Sequence, residues 1–139
     1  MNLKERCPII RFSAFGDERG KLIVIEGGET IPFDIKRVFY IYESDGSMVR
    51  GQHANKKSEF VLVNVAGKSK VRITDASEEL VVTLDQPMIG VYIPKMLWKD
   101  MYDFSQDSVL LVLASTHYDE KEYIRDYSEY KRAVNSEGE

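Results

Sequence analysis

The chain has 139 residues, enough for one domain with an ordinary hydrophobic core and short for two. Apolar residues make up 43% and charged residues 30%, a globular composition that excludes a disordered or fibrous chain. A formal charge of −4 with a pI near 5.3 leaves no net basic field for nucleic acid or anionic lipid, so an anionic ligand must be held by a few local Arg and Lys residues.

The opening residues, MNLKERCPIIRF, alternate charged and apolar positions without the apolar centre of a signal peptide. No stretch approaches about 18 consecutive apolar residues. A soluble, cytoplasmic protein that engages neither membrane nor nucleic acid is therefore expected. The single cysteine, Cys7, has no partner for an internal disulfide and no neighbouring histidine, so it reads as a buried or edge-strand thiol.

Apolar runs of strand length follow in order: PIIRF (8–12), KLIVIE (21–26), RVFYIY (37–42), EFVLVNVA (59–66), KVRIT (70–74), ELVVTL (79–84), MIGVYI (88–93) and SVLLVLA (108–114). Turn signals such as Gly27-Gly28, Asp45-Gly46 and Gly67 separate them. Short strands without intervening helices imply antiparallel pairing in a sandwich or barrel and exclude a parallel βαβ fold. From Asp119 the pattern changes. Asp119 with Glu122 resembles a capping box, and Tyr123, Tyr127 and Tyr130 recur at helical spacing, which predicts a helix over about 119–134 docked by its tyrosine stripe, with NSEGE frayed beyond it.

No Gly-x-Ser-x-Gly elbow occurs and no base lies beside Cys7, so nucleophilic catalysis has no support. Of the two histidines, His117 follows a long apolar strand and reads as a capping or surface residue. His53 lies in RGQHANKKSE (50–59), polar residues that lead into an apolar strand. If 50–55 is extended, alternation puts His53 and Asn55 on one face, where inward polar groups would line a pocket.

Gly51, His53, Asn55, Glu59 and Gly67 are spaced like the first motif of the cupin superfamily, a small jelly-roll barrel. In its metal-binding members two histidines, the glutamate and a later histidine hold the ion. Here Asn55 stands at the second histidine position and residues 90–99 contain no histidine, so His53 and Glu59 fall short of the three or four ligands a firm site needs. The resemblance narrows over six collinear segments: DERGKL (17–22), IPFDIKRVFY (31–40), RGQHA (50–54), LDQP (84–87), WKDMYDFS (98–105) and LASTHYDE (113–120). Together these resemble the sugar 3,4-ketoisomerases, cupin-type enzymes that act on dTDP-4-keto-6-deoxy-D-glucose.

That resemblance implies an all-β, cupin-like jelly-roll barrel (about 8–116) with a short C-terminal α-helix, the whole chain forming one domain. It implies metal-independent and cofactor-free isomerisation, moving the keto group from C4 to C3 and preparing the sugar for amination at C3. It also implies a homodimer, with N-terminal strands such as 8–12 exchanged between subunits. A base must remove the C3 proton and the resulting enediolate be reprotonated at C4. Histidine suits this because its unperturbed pKa of about 6.5 lets it take and return a proton near neutrality. His53 holds the family's leading catalytic position. Arg19, Lys99 and Asn55 are candidates to stabilise the charged intermediate. Arg19 resembles the galacto-producing members, whereas Lys99 matches neither their histidine nor the arginine of gluco-producing ones, a weak lean to the galacto product. Asn55 and Phe39 replace a usual histidine and tyrosine. For the diphosphate, Arg50 is the leading candidate, followed by Arg37 and Lys57. Trp98 and Tyr40 are candidates for aromatic contact with thymine or sugar. The rival readings are a nucleotide-sugar-binding barrel without turnover and a dTDP-sugar 3,5-epimerase.

Overall fold

The computed structural model describes residues 1–137. In chain order its elements are α1 (Leu3–Arg6), β1 (Ile9–Arg11), β2 (Ala14–Asp17), β3 (Gly20–Ile23), β4 (Arg37–Tyr42), β5 (Arg50–Asn55), β6 (Phe60–Ala66) and β7 (Ser69–Thr74). They continue with β8 (Glu79–Leu84), β9 (Ile89–Ile93), β10 (Trp98–Tyr102), β11 (Val109–Ala114), a 3-10 turn (Glu120–Glu122), β12 (Tyr123–Ile124) and α2 (Tyr127–Glu137). Each of the eight apolar runs contains a strand. β2, β5, β10 and β12 add to them, as does the short α1.

Two five-stranded sheets, ordered β1-β9-β6-β11-β4 and β12-β5-β10-β7-β8, carry antiparallel pairings and face each other. The expected barrel is thus a jelly-roll-like sandwich whose hydrogen bonding does not close into one ring. Strands β4 and β12, at one edge of each sheet, do not pair, and the space beside them is occupied by a cavity. No helix among the described residues is long and apolar enough to cross a membrane.

Alternation explains the core. Leu62, Val71, Ile73, Leu84, Val91, Ile93, Leu110 and Val112 meet between the sheets, all essentially buried. The outward Val61, Val63 and Leu113 are covered by Phe12, Ile31 and Phe33, which is why β6 reads as a continuous apolar run. β10 was hidden because its alternation is atypical: Lys99 and Met101 turn inward, while Trp98 turns out against Tyr127 and Tyr130 of α2.

The C-terminal segment departs from the expected helix over 119–134. Asp119 caps only the 3-10 turn, accepting from Lys121 N at 3.0 Å. Its capping-box partner Glu122 is drawn into the interior instead, and Tyr123–Ile124 pairs with β5. α2 starts later, where Asp126 accepts from Glu129 N at 3.1 Å. The tyrosine stripe therefore divides: Tyr130 is fully buried beneath α2, but Tyr123 faces the cavity. Of NSEGE, residues 135–137 continue the helix, and Gly138 and Glu139 lie outside the described residues. Within this chain Ile9–Arg11 pairs with β9, and the segment that stands off both sheets is the β2–β3 hairpin.

Candidate active site

The site is built on a bulge. Lys99 of β10 lies opposite His53 and Asp100 opposite Gly51, so Gln52 is an extra residue in β5. Positive φ at Gly51 (84°) and Gln52 (56°) accommodates it. Strict alternation would place Arg50 and His53 on opposite faces. The bulge turns both toward the same cavity, where Lys99 and Met101 also point.

This cavity, about 310 Å³, lies at the small end of ligand-pocket sizes. Its floor is apolar (Phe60, Leu62, Met101, Val112) and its rim is polar (Arg50, His53, Lys99, Tyr123, Arg125). His53 Nδ1 lies 3.1 Å from the carbonyl of Gly51. A carbonyl can only accept, so the neutral ring carries its proton on Nδ1 and leaves Nε2 as the free basic nitrogen. Burial and then the Lys99 ammonium, with smaller effects of Arg125 and Arg37, push the imidazole pKa down to about 4 against the pull of the Gly51 bond. His53 is therefore an unprotonated base at neutral pH.

Lys99 is 3% exposed, and burial is the main reason its pKa falls to about 7, partly countered by the Glu122 carboxylate and reinforced by Arg37. Its Nζ sits 4.4 Å from the Phe60 ring centroid and donates to Asn55 Oδ1 at 3.1 Å. Asn55, 1% exposed, donates in turn through Nδ2 to Glu122 Oε1. Glu122, 4% exposed, accepts also from Ser58 N at 3.1 Å and Ser58 Oγ at 2.5 Å, and the hydroxyls of Ser58 and Thr116 lie 2.5 Å apart. Asn55 thus stands behind Lys99 as a link between amine and carboxylate, not at the cavity surface.

Arg37, a sequence candidate for the diphosphate, does not line the cavity; it packs against the rings of Phe39 and Tyr118, 5.4 and 5.6 Å from their centroids. Its Nε and Nη2 are buried with no hydrogen-bond partner among the described residues. Arg125 lies 4.5 Å over the Tyr123 ring, which packs on His53. Tyr40 and Phe39 line the opposite wall.

The remaining sequence candidates are elsewhere. Arg19 lies on the hairpin, its side chain 87% exposed and paired with Asp17 at 2.7 Å. Lys57 is exposed and outside the cavity wall, and Trp98 is core beneath α2. His117 is exposed, as a surface role requires. Glu59 accepts from the Tyr92 hydroxyl at 2.5 Å and does not line the cavity. Among the described residues no group of three or more His, Cys, Asp and Glu is placed to hold a metal ion. Sequence reasoning missed Glu122, Tyr123 and Arg125. The only local signal was that Tyr123 and Arg125 share parity with a strand, and the helical tyrosine spacing masked it.

The two-sheet fold thus holds a cavity in which an imidazole with a free Nε2 sits beside a buried amine. Residues 5–135 match the family described as FdtA (WxcM-like, C-terminal), and the chain belongs to that family. It is 44% identical over 126 residues, 91% of each chain, to the TDP-4-oxo-6-deoxy-α-D-glucose-3,4-oxoisomerase of Aneurinibacillus thermoaerophilus. A crystal structure of a 3,4-ketoisomerase from Helicobacter canadensis superposes with a TM-score of 0.91 at 43% identity, covering 93% of this chain and 97% of that one. The sugar 3,4-ketoisomerase QdtA from Thermoanaerobacterium thermosaccharolyticum, in complex with TDP, gives 0.92 at 42% identity, covering 95% and 96%.

Proposed function

We propose that this chain is a sugar 3,4-ketoisomerase that converts dTDP-4-keto-6-deoxy-D-glucose to a dTDP-3-keto-6-deoxyhexose. The observation that carries the reading is the neutral His53 imidazole, tied at Nδ1 to Gly51 O and lining the cavity. Nε2 removes the C3 proton, which the neighbouring C4 carbonyl acidifies. The C–H electron pair forms the C3–C4 double bond, and the carbonyl pair moves to O4. Return of a proton to C4, with loss of the O3 proton, gives the 3-keto sugar. The relatives' names and the TDP bound by one of them support the substrate class.

A single base on one face of the ring delivers its proton to C4 from the face it took at C3, which sets the two hydrogens cis. In a gluco-configured substrate that is the galacto product, the direction Arg19 also favours. Arg50 and Arg125 at the mouth supply guanidinium groups for the diphosphate. Tyr40 supplies aromatic surface for thymine or sugar. The reading calls for no metal or other cofactor, so chelator treatment leaves turnover unchanged.

The same reading includes a homodimer. β4 exposes Val38, Tyr40 and Tyr42, and the projecting hairpin exposes Phe15 and Leu22, apolar surface suited to a second copy. Arg19 takes part in catalysis only if that hairpin carries it to a neighbouring chain's cavity.

Incubation with TDP-4-keto-6-deoxyglucose and a C3 aminotransferase tests the reading, because aminated sugar requires prior isomerisation. Absence of that product overturns it. Solvent deuterium entering C5 would instead establish a 3,5-epimerase, and bound but unconverted sugar a binding protein.

A further inference from the structure

Isomerisation moves two protons, one between carbons and one between oxygens. His53 accounts for the first. The second must leave O3 and arrive at O4, and the two residues that depart from the family pattern, Asn55 and Phe39, are unable to carry it: an amide does not titrate and a phenyl ring has no proton to give.

Lys99 lies directly across the β5–β10 pairing from His53, on the same face, lining the same cavity. It is almost wholly buried, and among the described residues no carboxylate lies within salt-bridge distance of its Nζ. One N–H is committed to Asn55 Oδ1, which leaves the others available to the cavity. Behind it, Asn55 is oriented by Glu122, and Glu122 by both Ser58 N and Ser58 Oγ. This buried chain is joined across 44 and 67 residues of sequence and ends on the Lys99 amine. Its effect is to hold one amine in place.

We infer that Lys99 is the catalytic group that carries the oxygen-bound proton, giving it to O4 and taking one back from O3, and that Glu122 is its positioning residue, acting through Asn55. The inference rests on the ketoisomerase reading. As His53 takes the C3 proton, the Lys99 ammonium protonates O4, so a neutral enediol forms. The resulting amine then removes the O3 proton as the C3 carbonyl forms and the imidazolium returns its proton to C4. Both side chains end as they began, and no oxidant or external acid is consumed. An amine whose pKa burial has brought to about 7 can make both transfers near neutrality. Imine formation at C4 is a poorer use of this amine, because tautomerisation would leave nitrogen, not oxygen, on C4.

The charged and titratable groups facing Lys99 are His53 and Arg50 from β5, Arg37 from β4, Glu122 from the 3-10 turn, and Tyr123 and Arg125 from and beyond β12. Of these, the Glu122 carboxylate is the one that raises the Lys99 pKa. Activity therefore falls as pH rises through the Lys99 titration, and Glu122→Gln moves that fall to lower pH.

Lys99→Arg keeps a cation in the cavity but has no transferable proton near neutrality. Conversion of TDP-4-keto-6-deoxyglucose by this variant is expected to drop about 100-fold or more across pH 6–9, with TDP binding kept within about threefold. A smaller drop, or recovery of conversion at high pH, means that Lys99 acts only as a fixed charge and overturns the inference. If circular dichroism shows that Lys99→Arg does not fold, Glu122→Gln decides. A descending limb displaced to lower pH supports the inference, and an unmoved limb with only a lowered melting temperature reduces Glu122 to a structural role and overturns it. Wild-type protein that neither exchanges C3–H nor forms 3-keto sugar would sink the ketoisomerase reading itself, an outcome distinct from either variant result.

Discussion

At Gly51 two demands coincide. Its φ of 84° favours glycine, and a Cβ there would meet Lys99 O and Met101 Cε at 3.0 Å. Its carbonyl also fixes the His53 tautomer. Gly51→Ala is expected to destabilise the fold by about 2 kcal/mol or more, read from urea unfolding, and to lower kcat/KM by disturbing the imidazole. On the proposed mechanism, His53→Asn removes the base without altering the charge of the cavity at neutral pH. Deuterium exchange at C3 should fall at least about 100-fold while TDP binding survives. Because burial depresses the His53 pKa to about 4, C3 exchange in the wild type should fall only as pH drops toward 4, not through the ordinary imidazole range. The same shift makes stability drain away as pH falls from about 6.5 toward 4, since the unfolded chain takes up a proton that the folded one resists. A melting curve whose pH dependence is unchanged in His53→Asn would contradict this. Period-two alternation made His53 and Asn55 legible as a shared face. It could not reveal that Asn55 would be covered by Lys99, because that contact spans 44 residues.

Among the elements, β5, β10 and the segment from Glu120 to α2 decide the site. Eight strands followed from local apolar runs. β10 was missed because a lysine points inward and a tryptophan outward, the reverse of the usual pattern. The C-terminal segment was misread because Tyr123, Tyr127 and Tyr130 have helical spacing, while burial of Glu122 and pairing of Tyr123–Ile124 with β5 outweigh helix propensity there. α2 then acts as a clamp. Tyr130 is fully buried on Trp98, and its hydroxyl donates to Met96 O at 2.8 Å. Tyr130→Ala is expected to cost about 3–5 kcal/mol, whereas Tyr130→Phe costs about 1 kcal/mol through the unmet carbonyl. Tyr123 and Arg125 immediately precede the clamp, so Tyr130→Ala should raise KM more than it lowers kcat. Equal loss of both by that variant would argue against α2 supporting the cavity wall.

For the whole molecule, a charge of −4 means that the proposed reading relies on two local guanidinium groups, Arg50 and Arg125 at one mouth, to hold a diphosphate against the average field. Arg50 joins that group only through the bulge, and Arg125 only through β12. The exposed β4 face and the projecting hairpin lead to a further expectation: sedimentation equilibrium should return twice the 16.0 kDa chain mass, and a strictly monomeric, fully active protein would remove Arg19 from the reaction. The amino-acid order alone determined the antiparallel class and eight strand positions, and it singled out His53 as the candidate base. Each of these is encoded by residues a few positions apart, through alternation, turn chemistry and motif spacing. Only the tertiary structure decided that the sheets stay open beside β4, that Arg50 and His53 share a face, that Lys99 loses its water, and that Glu122 reaches back to Asn55. Those outcomes are set by burial and pairing between distant segments, and such interactions leave no periodic trace in the chain.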